Sequence, residues 1–432
     1  MTQLNPLELL KQLEDILDSD PLIDEVGFIH PSQFVMLNEE AGGPLPSSVG
    51  TMLQSEDRVL GSRVSKVNPS ETVFWCRDHK LGISAQVLLP LYNVAKQTFM
   101  AALERYKIHS NLSVKKDESG SDNMSSWYAS SLDVLESEVM KHSRALLLLS
   151  CDFGTVWNSR KLVLSNKQHS QMFVDELLLS ALVLSYAPKS ECSWSHRRWV
   201  IKMIDGKSSN LQEIVEKESE IVKKIAEKSK MNYRAWNHRC WLVSHMSGGQ
   251  VLNELNKSRG WTGLHIADSS CFHYRTRLML RMLEESQHKH DPVSSSTYNA
   301  ELRQLWKEEL DWNEMLIKQY IGREHFVTDI HDISSHSDHK DTMNHEIGVF
   351  MDTELELVCS CSTIPDNDYE DFQAQAMFSA TYLLWLTKQI SEFMGIEFRE
   401  KLPAEELKTI INKVCPEKIF LWHSFQGTHE SV

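Results

Sequence analysis

Histidine, aspartate and cysteine residues that could bind a metal are concentrated in the last quarter of the sequence. Five histidines stand among several aspartates and serines, namely His325, His331, His336, His339 and His345. Imidazole and carboxylate groups are ordinary zinc ligands, but a Ser/Asp/His-rich stretch without apolar anchors seldom fixes ligand geometry. The same reasoning applies to the CxC pair Cys359 and Cys361. We therefore predict a solvated segment and no metal site in this chain, with a metal-binding regulator as an open alternative.

A second pattern joins an aromatic residue to an arginine three positions later. It occurs in TVWNSRKLVL, CSWSHRRWVI, RAWNHRCWLV and SCFHYRTRLM, whose aromatic residues are 37, 42 and 36 positions apart. The aromatic residues are Trp157, Trp194, Trp236 and Phe272, the arginines are Arg160, Arg197, Arg239 and Arg275, and an apolar residue follows each aromatic residue by seven positions. These positions share one helix face, and the spacing matches one helical hairpin with its turn. The pattern predicts a packing seam between repeated hairpins.

Composition narrows the class of protein that contains these repeats. The 432 residues include 41% hydrophobic residues and carry a net charge of −15, which disfavours nucleic acid as a partner. Eight cysteines form no CxxC pair, as is typical of free thiols in a reducing compartment. The apolar runs are shorter than the roughly 18 residues of a membrane span, and the start lacks the basic region of a signal peptide. We expect a cytoplasmic protein without a transmembrane segment.

The periodicity of apolar residues suggests five regions. Residues 1–107 are mixed, with an amphipathic helix over 7–17 and an extended stretch over 28–37, and residues 108–126 are a polar, Ser-rich linker. Residues 127–322 are helical throughout, residues 323–368 form the polar His/Asp/Ser-rich insert, and residues 369–432 contain further helices. Helices without convincing strands over 127–322 predict an all-α fold.

The tandem aromatic-x-x-Arg motif, most clearly in SWSHRRWVI and NYRAWNHRCWLV, resembles the repeat of protein farnesyltransferase and geranylgeranyltransferase α subunits. The resemblance covers roughly residues 130–322. It implies a right-handed solenoid, or superhelix, of antiparallel helical hairpins with a mixed N-terminal region before it. The fourth unit departs from the family by having Phe272 and Tyr274 where tryptophan and histidine are usual, and Gly322-Arg323-Glu324 begins a fifth unit that lacks both tryptophan and arginine.

The family resemblance also implies partners. Such an α subunit is inactive alone and assembles with a prenyltransferase β subunit, here of the Rab geranylgeranyltransferase type, which carries the zinc. The pair would transfer a geranylgeranyl or farnesyl group from its diphosphate to a cysteine in the C-terminal region of a protein such as a SNARE. The alternative is a non-catalytic helical scaffold that binds another protein.

The turns before the repeat helices supply the diphosphate-binding groups in this family. By its motif, the leading lysine corresponds to Lys189, the Asn-Tyr pair to Asn232 and Tyr233, and the following contact residue to Arg234. We expect all four to bind the isoprenoid diphosphate, with Lys189 and Tyr233 as catalytic residues, because preorganised donors stabilise the charge of the departing diphosphate. A purely structural or solvated role is the alternative. Glu191 stands where the family has a tyrosine, and an acid is unfavourable beside a diphosphate.

Overall fold

The computed structural model describes residues 5–40, 73–114, 122–167, 169–205, 210–287, 292–321, 356–362 and 370–393, with a few positions between 408 and 420. The described elements are α1 (Pro6–Ser19), β1 (Glu25–Ile29), α2 (Pro31–Glu40), β2 (Phe74–Arg77), β3 (Lys80–Ser84), α3 (Leu88–Val114), α4 (Asp122–Leu149), α5 (Gly154–Lys167), α6 (Ser170–Tyr186), α7 (Glu191–Ile204), α8 (Leu211–Lys228), α9 (Tyr233–Leu242), α10 (Gly248–Leu264), α11 (Ser269–Gln287), α12 (Pro292–Gln319) and α13 (Glu370–Phe393). Over these described residues the fold is all-α with one small sheet near its start. The helical hairpins predicted from the repeat spacing are present.

The chain divides into two compact units. The first unit contains Met1–Ile214 and Glu220–His238, and the second contains Val215–Ser219 and Arg239–Val432. One hydrophobic core in the first unit joins α1, the sheet and helices α3 to α6, through residues such as Leu13, Ile83, Phe99, Leu147 and Val183. The mixed N-terminal region therefore shares its core with the helices that follow it.

The sheet has the strand order β1-β3-β2. β1 is parallel to β3, whereas β2 and β3 are antiparallel and are joined by Asp78 and His79. Both turn residues have positive φ, 50° and 60°, as a two-residue hairpin turn that matches the strand twist requires. A Cβ at Gly82 would collide with the Ile29 side chain. Glycine at this position therefore lets β1 lie close to β3.

Local sequence explains how α1 begins. The Asn5 side chain accepts a hydrogen bond from the Leu7 backbone at 3.1 Å, and Pro6 occupies the first turn. An N-cap asparagine followed by proline is a strong helix start. The apolar face of α1 then buries Leu9, Leu10, Leu13 and Leu17, as an amphipathic helix requires, while Leu7 in the first turn is exposed.

Two local expectations differ from the structure. Residues 28–37 are not one extended stretch, because β1 ends at Ile29 and α2 begins at Pro31. The expected linker over 108–126 is helical at both ends, since α3 continues to Val114 and α4 begins at Asp122. α3 and α4 pack against each other, and this packing outweighs the low helix propensity of the Ser/Asn-rich sequence.

Much of the predicted polar insert over 323–368 lies outside the described residues, including all five of its histidines. In the part of the chain that is described, no three His, Cys, Asp or Glu side chains come together as metal ligands. Cys361 is buried and its sulfur accepts a hydrogen bond from Gln375 at 3.2 Å, whereas Cys359 is exposed. None of the described helices is both long enough and apolar enough to cross a membrane.

Candidate functional site

The aromatic-x-x-Arg residues lie inside the protein. The aromatic rings and the guanidinium groups are all at least 96% buried: Trp157, Trp194, Trp236, Phe272, Arg160, Arg197, Arg239 and Arg275. The apolar residues seven positions after the rings are equally buried, namely Leu164, Ile201, Val243 and Met279. These positions hold the repeats together and cannot reach a ligand at the surface.

Three of the buried arginines, Arg160, Arg197 and Arg275, donate to both a backbone carbonyl and a serine hydroxyl. In α5, Arg160 donates through Nη1 to the Met140 carbonyl at 2.7 Å and to the Ser143 hydroxyl at 2.6 Å. Its Nε donates to both carboxylate oxygens of Glu176 in α6, at 3.1 and 3.0 Å. A buried guanidinium is tolerated only when its charge and its donors are matched in this way.

The same arrangement returns in later repeats. Arg197 donates to the Leu177 carbonyl at 2.5 Å and the Ser180 hydroxyl at 2.8 Å. Arg275 donates to the Leu255 carbonyl at 2.5 Å and the Ser258 hydroxyl at 2.8 Å, and its Nε and Nη2 each lie 2.6 Å from an oxygen of Glu309. In these repeats the serine precedes its arginine by 17 positions and the carbonyl by 20.

Glutamates that are not part of the repeat motif complete these sites. Glu176 also lies 2.8 Å from His196 Nε2 in the next repeat, and this ring nitrogen donates because a carboxylate only accepts. Burial raises the pKa of Glu176, but the charge of Arg160 and the hydrogen bond from His196 outweigh it and lower the pKa to about 2. Burial lowers the pKa of His196. Glu176 is therefore a buried carboxylate that joins two consecutive repeats.

Tyr274 takes the place of histidine in the fourth repeat without loss of this contact. Its hydroxyl donates to Glu254 Oε2 at 2.8 Å, and the same oxygen accepts from Arg239 Nη2 at 2.9 Å. The Arg239 guanidinium also lies 4.3 Å from the centre of the Tyr274 ring, a cation–π distance. The arginine thus stacks on the ring of the next repeat.

The residues predicted to bind diphosphate lie elsewhere, in the turns that precede α7 and α9. The first turn begins after Tyr186 and ends at Ser190, whose hydroxyl caps α7 by accepting from the Ser193 backbone at 3.3 Å. In the second turn, Met231 has a φ of 54°. This left-handed backbone conformation changes the direction of the chain before α9. Both turns belong to the first unit.

Hydrogen bonds hold the two turns side by side. The Pro188 carbonyl accepts from Trp194 Nε1 at 3.0 Å and from Asn232 Nδ2 at 2.8 Å. Next to it, the Lys189 carbonyl accepts from Arg234 Nη1 at 2.7 Å. The motif tryptophan of α7 therefore helps to place the turn that carries Lys189.

Asn232 serves this scaffold and not a surface site. Its side chain is completely buried, and its Oδ1 accepts from the Ala235 backbone at 3.2 Å in addition to the bond from Nδ2 to Pro188. The expectation that Asn232 contacts a diphosphate is corrected accordingly, because both polar atoms of its amide are used inside the protein. It caps α9 and ties the turns together.

The other three predicted residues face solvent. Lys189 is exposed, Tyr233 is 71% exposed, and the Arg234 side chain is 46% exposed. The structure thus brings Lys189 and Arg234 to one surface through adjacent turns, with Tyr233 next to Arg234 in the chain. Cationic and phenolic donors at such a place can bind a phosphate group.

Two residues complete the charge distribution of this surface. Glu191 accepts from Arg234 Nε at 3.0 Å and from Arg198 Nη2 at 2.9 Å. Glu191 was expected to weaken the site, whereas Arg198, which directly follows a repeat arginine, was missed by the motif comparison. Lys189, Arg198 and Arg234 contribute three positive charges here, and Glu191 contributes one negative charge. The exposed Asp152, whose Oδ1 accepts from the Ser190 hydroxyl at 2.7 Å, adds a second carboxylate beside the first turn.

The N-terminal sheet contacts the helices that lead into both turns. The Val26 backbone donates to Ser185 Oγ at 3.1 Å near the end of α6, and the ring of Phe28 packs edge-on against Tyr186 at 5.3 Å. Glu25 pairs with Lys228 at the end of α8, at 3.3 Å. β1 thereby supports the candidate site from the side of the N-terminal region.

Comparison with known proteins agrees with the repeat geometry. The family model for the protein prenyltransferase alpha subunit repeat matches residues 173–204 and 215–246. The human protein prenyltransferase alpha subunit repeat-containing protein 1 is 30% identical over 228 residues, covering 43% of this chain and 56% of the relative. Its Xenopus laevis counterpart 1-A is 29% identical over 227 residues, covering 43% and 52%.

This chain is also similar, at a lower sequence identity, to the α subunit of a geranylgeranyl transferase. The geranylgeranyl transferase type-2 subunit alpha of Saccharomyces cerevisiae is 25% identical over 162 residues, covering 35% of this chain and 47% of the relative. The matched segments thus span only about half the length of these relatives. Taken with the recurring buried Arg–Ser–Glu contacts, the matches show that this chain contains protein prenyltransferase alpha subunit repeats.

Proposed function

We propose that this chain is the α subunit of a heterodimeric protein prenyltransferase. The enzyme transfers a geranylgeranyl group from its diphosphate to a cysteine in the C-terminal region of a protein, and a SNARE is the first acceptor to test. The similarity to a geranylgeranyl transferase subunit alpha supports the choice of isoprenoid. The proposed partner is a β subunit of the Rab geranylgeranyltransferase type, and the place of action is the cytoplasm.

The proposal is carried by the adjacent turns that expose Lys189 and Arg234 on one surface. In the transfer, the cysteine sulfur forms a bond to the first carbon of the isoprenoid while the carbon–oxygen bond breaks, and the diphosphate leaves with the electron pair. Lys189 and Tyr233 would stabilise the negative charge that collects on the departing oxygens. Arg234 would bind the diphosphate, and the buried Asn232 would keep the turns in position.

The zinc that this chemistry uses is assigned to the β subunit. When bound there, it holds the acceptor cysteine as a thiolate. The proposed contribution of this chain is to bind and orient the diphosphate. Acceptor and β subunit are chosen from the family resemblance.

The test uses the full chain co-expressed with a Rab-type geranylgeranyltransferase β subunit. The purified complex is incubated with geranylgeranyl diphosphate and an acceptor protein that has a C-terminal-region cysteine, and transfer is measured by the mass increase of the acceptor. Lys189→Ala should lower kcat by at least about tenfold without loss of complex, on the scale of removing one preorganised donor. Lys11→Ala removes an exposed lysine from α1 and serves as the control.

A second candidate function is a non-catalytic scaffold. It is favoured by one observation, namely that Glu191 already neutralises part of the charge of Arg234 and Arg198. A complex that forms but transfers no isoprenoid would support the scaffold. Unchanged turnover in Lys189→Ala would contradict a catalytic role of this turn. If no β subunit can be recovered with this chain from cells, the proposed heterodimer is wrong.

A further inference from the structure

Glu191 lies between two guanidinium groups at the candidate site. Its Oε1 accepts from Arg198 and its Oε2 from Arg234, so each carboxylate oxygen has its own cation. The Glu191 side chain is 54% exposed, which places this contact within reach of solvent and of a ligand. A phosphate group offers the same kind of paired acceptor oxygens to guanidinium donors.

Arg198 is well placed to act with Arg234. It lies seven positions after Glu191 on α7, two helical turns along the same face. Only 22% of its side chain is exposed, so surrounding groups restrict its position. Arg234 is restricted as well, because its Nη1 is bonded to the Lys189 carbonyl. Two guanidinium groups held in this way lose little conformational freedom when they bind an anion.

We infer that Arg198 and Arg234 form a diphosphate clamp whose anion position is occupied by Glu191, and that Glu191 sets the affinity of the clamp. The inference rests on the proposed function, because it takes the diphosphate end of an isoprenoid as the ligand. Binding displaces the Glu191 carboxylate from the guanidinium groups, since two like charges so close together repel each other. No covalent bond changes in this step.

The clamp can be tested with the full chain and inorganic diphosphate, without a β subunit. The dissociation constant is measured by isothermal titration calorimetry for the wild-type chain and for Glu191→Gln, which keeps the shape but removes the charge. We expect binding about tenfold tighter in Glu191→Gln, and a return to wild-type affinity or weaker in Glu191→Gln combined with Arg198→Ala.

Asp18→Asn is the matched control. Asp18 is 50% exposed and also accepts from two cations, Arg144 and Lys141, but it lies on α1. This variant removes the same charge and should leave the dissociation constant unchanged, which separates a local effect from a change in net charge.

Several results would overturn the clamp. These are equal or weaker binding in Glu191→Gln, an equal gain in Asp18→Asn, or no detectable binding in both the wild type and Glu191→Gln. Circular dichroism of each variant must match the wild type. Because this assay involves no transfer, tighter diphosphate binding in Glu191→Gln together with an assembled complex that transfers no isoprenoid would keep the clamp and reject the proposed function.

Discussion

The first unit contains two kinds of Arg–Glu pair, and their environments differ completely. Arg160 and Glu176 are at least 95% buried in side-chain terms and are enclosed by serine, histidine and backbone groups. Arg234 and Glu191 have about half of their side-chain surface exposed. The same two residue types therefore join repeats in one place and form an accessible charged surface in the other. Burial decides which role a pair can have, because a buried charge has no alternative partner in water.

Removal of one member of the buried Arg160–Glu176 pair should reduce the stability of the fold more than any other change considered below. Glu176→Ala leaves the guanidinium of Arg160 buried without a carboxylate, and it also removes the acceptor for His196. We expect the free energy of unfolding to fall by about 3–5 kcal/mol. Urea unfolding followed by tryptophan fluorescence would measure it.

A change at the exposed Arg234–Glu191 pair is the control for the urea unfolding of Glu176→Ala. Glu191→Ala breaks two ion pairs at the surface, where each contributes about 0–1 kcal/mol because of solvent screening. A loss in Glu191→Ala as large as in Glu176→Ala would contradict the distinction between the two environments.

The buried pair should also make stability fall in acid. Glu176 has a pKa of about 2 in the folded chain against an ordinary 4.5, so its contribution is present above about pH 4.5 and is lost as the pH falls towards 2. His196 has a lowered pKa, so the unfolded chain takes up a proton first, and stability begins to fall below about pH 6.5. The contribution of Glu176 is on the order of 3 kcal/mol.

Urea midpoints measured between pH 7 and pH 3 would show this dependence. In His196→Gln the slope between pH 6.5 and pH 5 should become shallower, because that titrating group is gone. A midpoint that stays constant down to pH 3 in the wild-type chain would contradict the assignment of Glu176 as a buried carboxylate.

A substitution at Tyr274 in the fourth repeat should have a smaller effect on stability, because it removes a single hydrogen bond. Tyr274→Phe removes the hydroxyl that donates to Glu254, while the bond from Arg239 to Glu254 remains. We expect the free energy of unfolding to fall by about 1–2 kcal/mol, as for the loss of one buried hydrogen bond to a charged acceptor. Tyr233→Phe changes a largely exposed tyrosine and should leave stability unchanged, so equal losses in the two variants would contradict this role.

The smallest effect on stability is expected from Arg234→Ala. Its ion pair with Glu191 is exposed, so the free energy of unfolding should change by less than about 1 kcal/mol. In the proposed heterodimer, however, the KM for geranylgeranyl diphosphate should rise, because a cation of the proposed clamp is missing. Arg105→Ala removes a similarly exposed arginine that pairs with Glu138 at 3.0 Å, and its KM should stay at the wild-type value. An equal KM in both variants would contradict the proposed role of Arg234 in binding the diphosphate.

Some of the site could be predicted from sequence because its motif is local. Spacings of three and seven residues place the aromatic residue, the arginine and the apolar residue on one helix face whatever surrounds the helix. The family motif also identified the turns that carry Lys189 and Arg234. The serine that stands 17 positions before Arg160, Arg197 and Arg275 is a regular signal of the same kind, and it could have been found by aligning the repeats over a longer window.

Other features depend on residues that are far apart in the chain. The parallel pairing of β1 with β3, which lie on either side of a long intervening segment, has no short-range signal. The continuation of α3 and the start of α4 inside a Ser-rich stretch depend on the packing of these helices on each other. Asn232 matches a family binding position by its motif, yet its burial between two turns makes it a structural residue.

The sequence alone thus determined the repeat, because helical periodicity is a property of neighbouring residues. It did not identify Glu176 as the partner of Arg160, since the two residues stand 16 positions apart in the chain. Only the tertiary structure decided that Glu176 is enclosed by Arg160 and His196 while Glu191 lies at the surface between Arg198 and Arg234. The physical reason is that solvent access depends on which helices and turns cover a side chain, and those come from other parts of the chain.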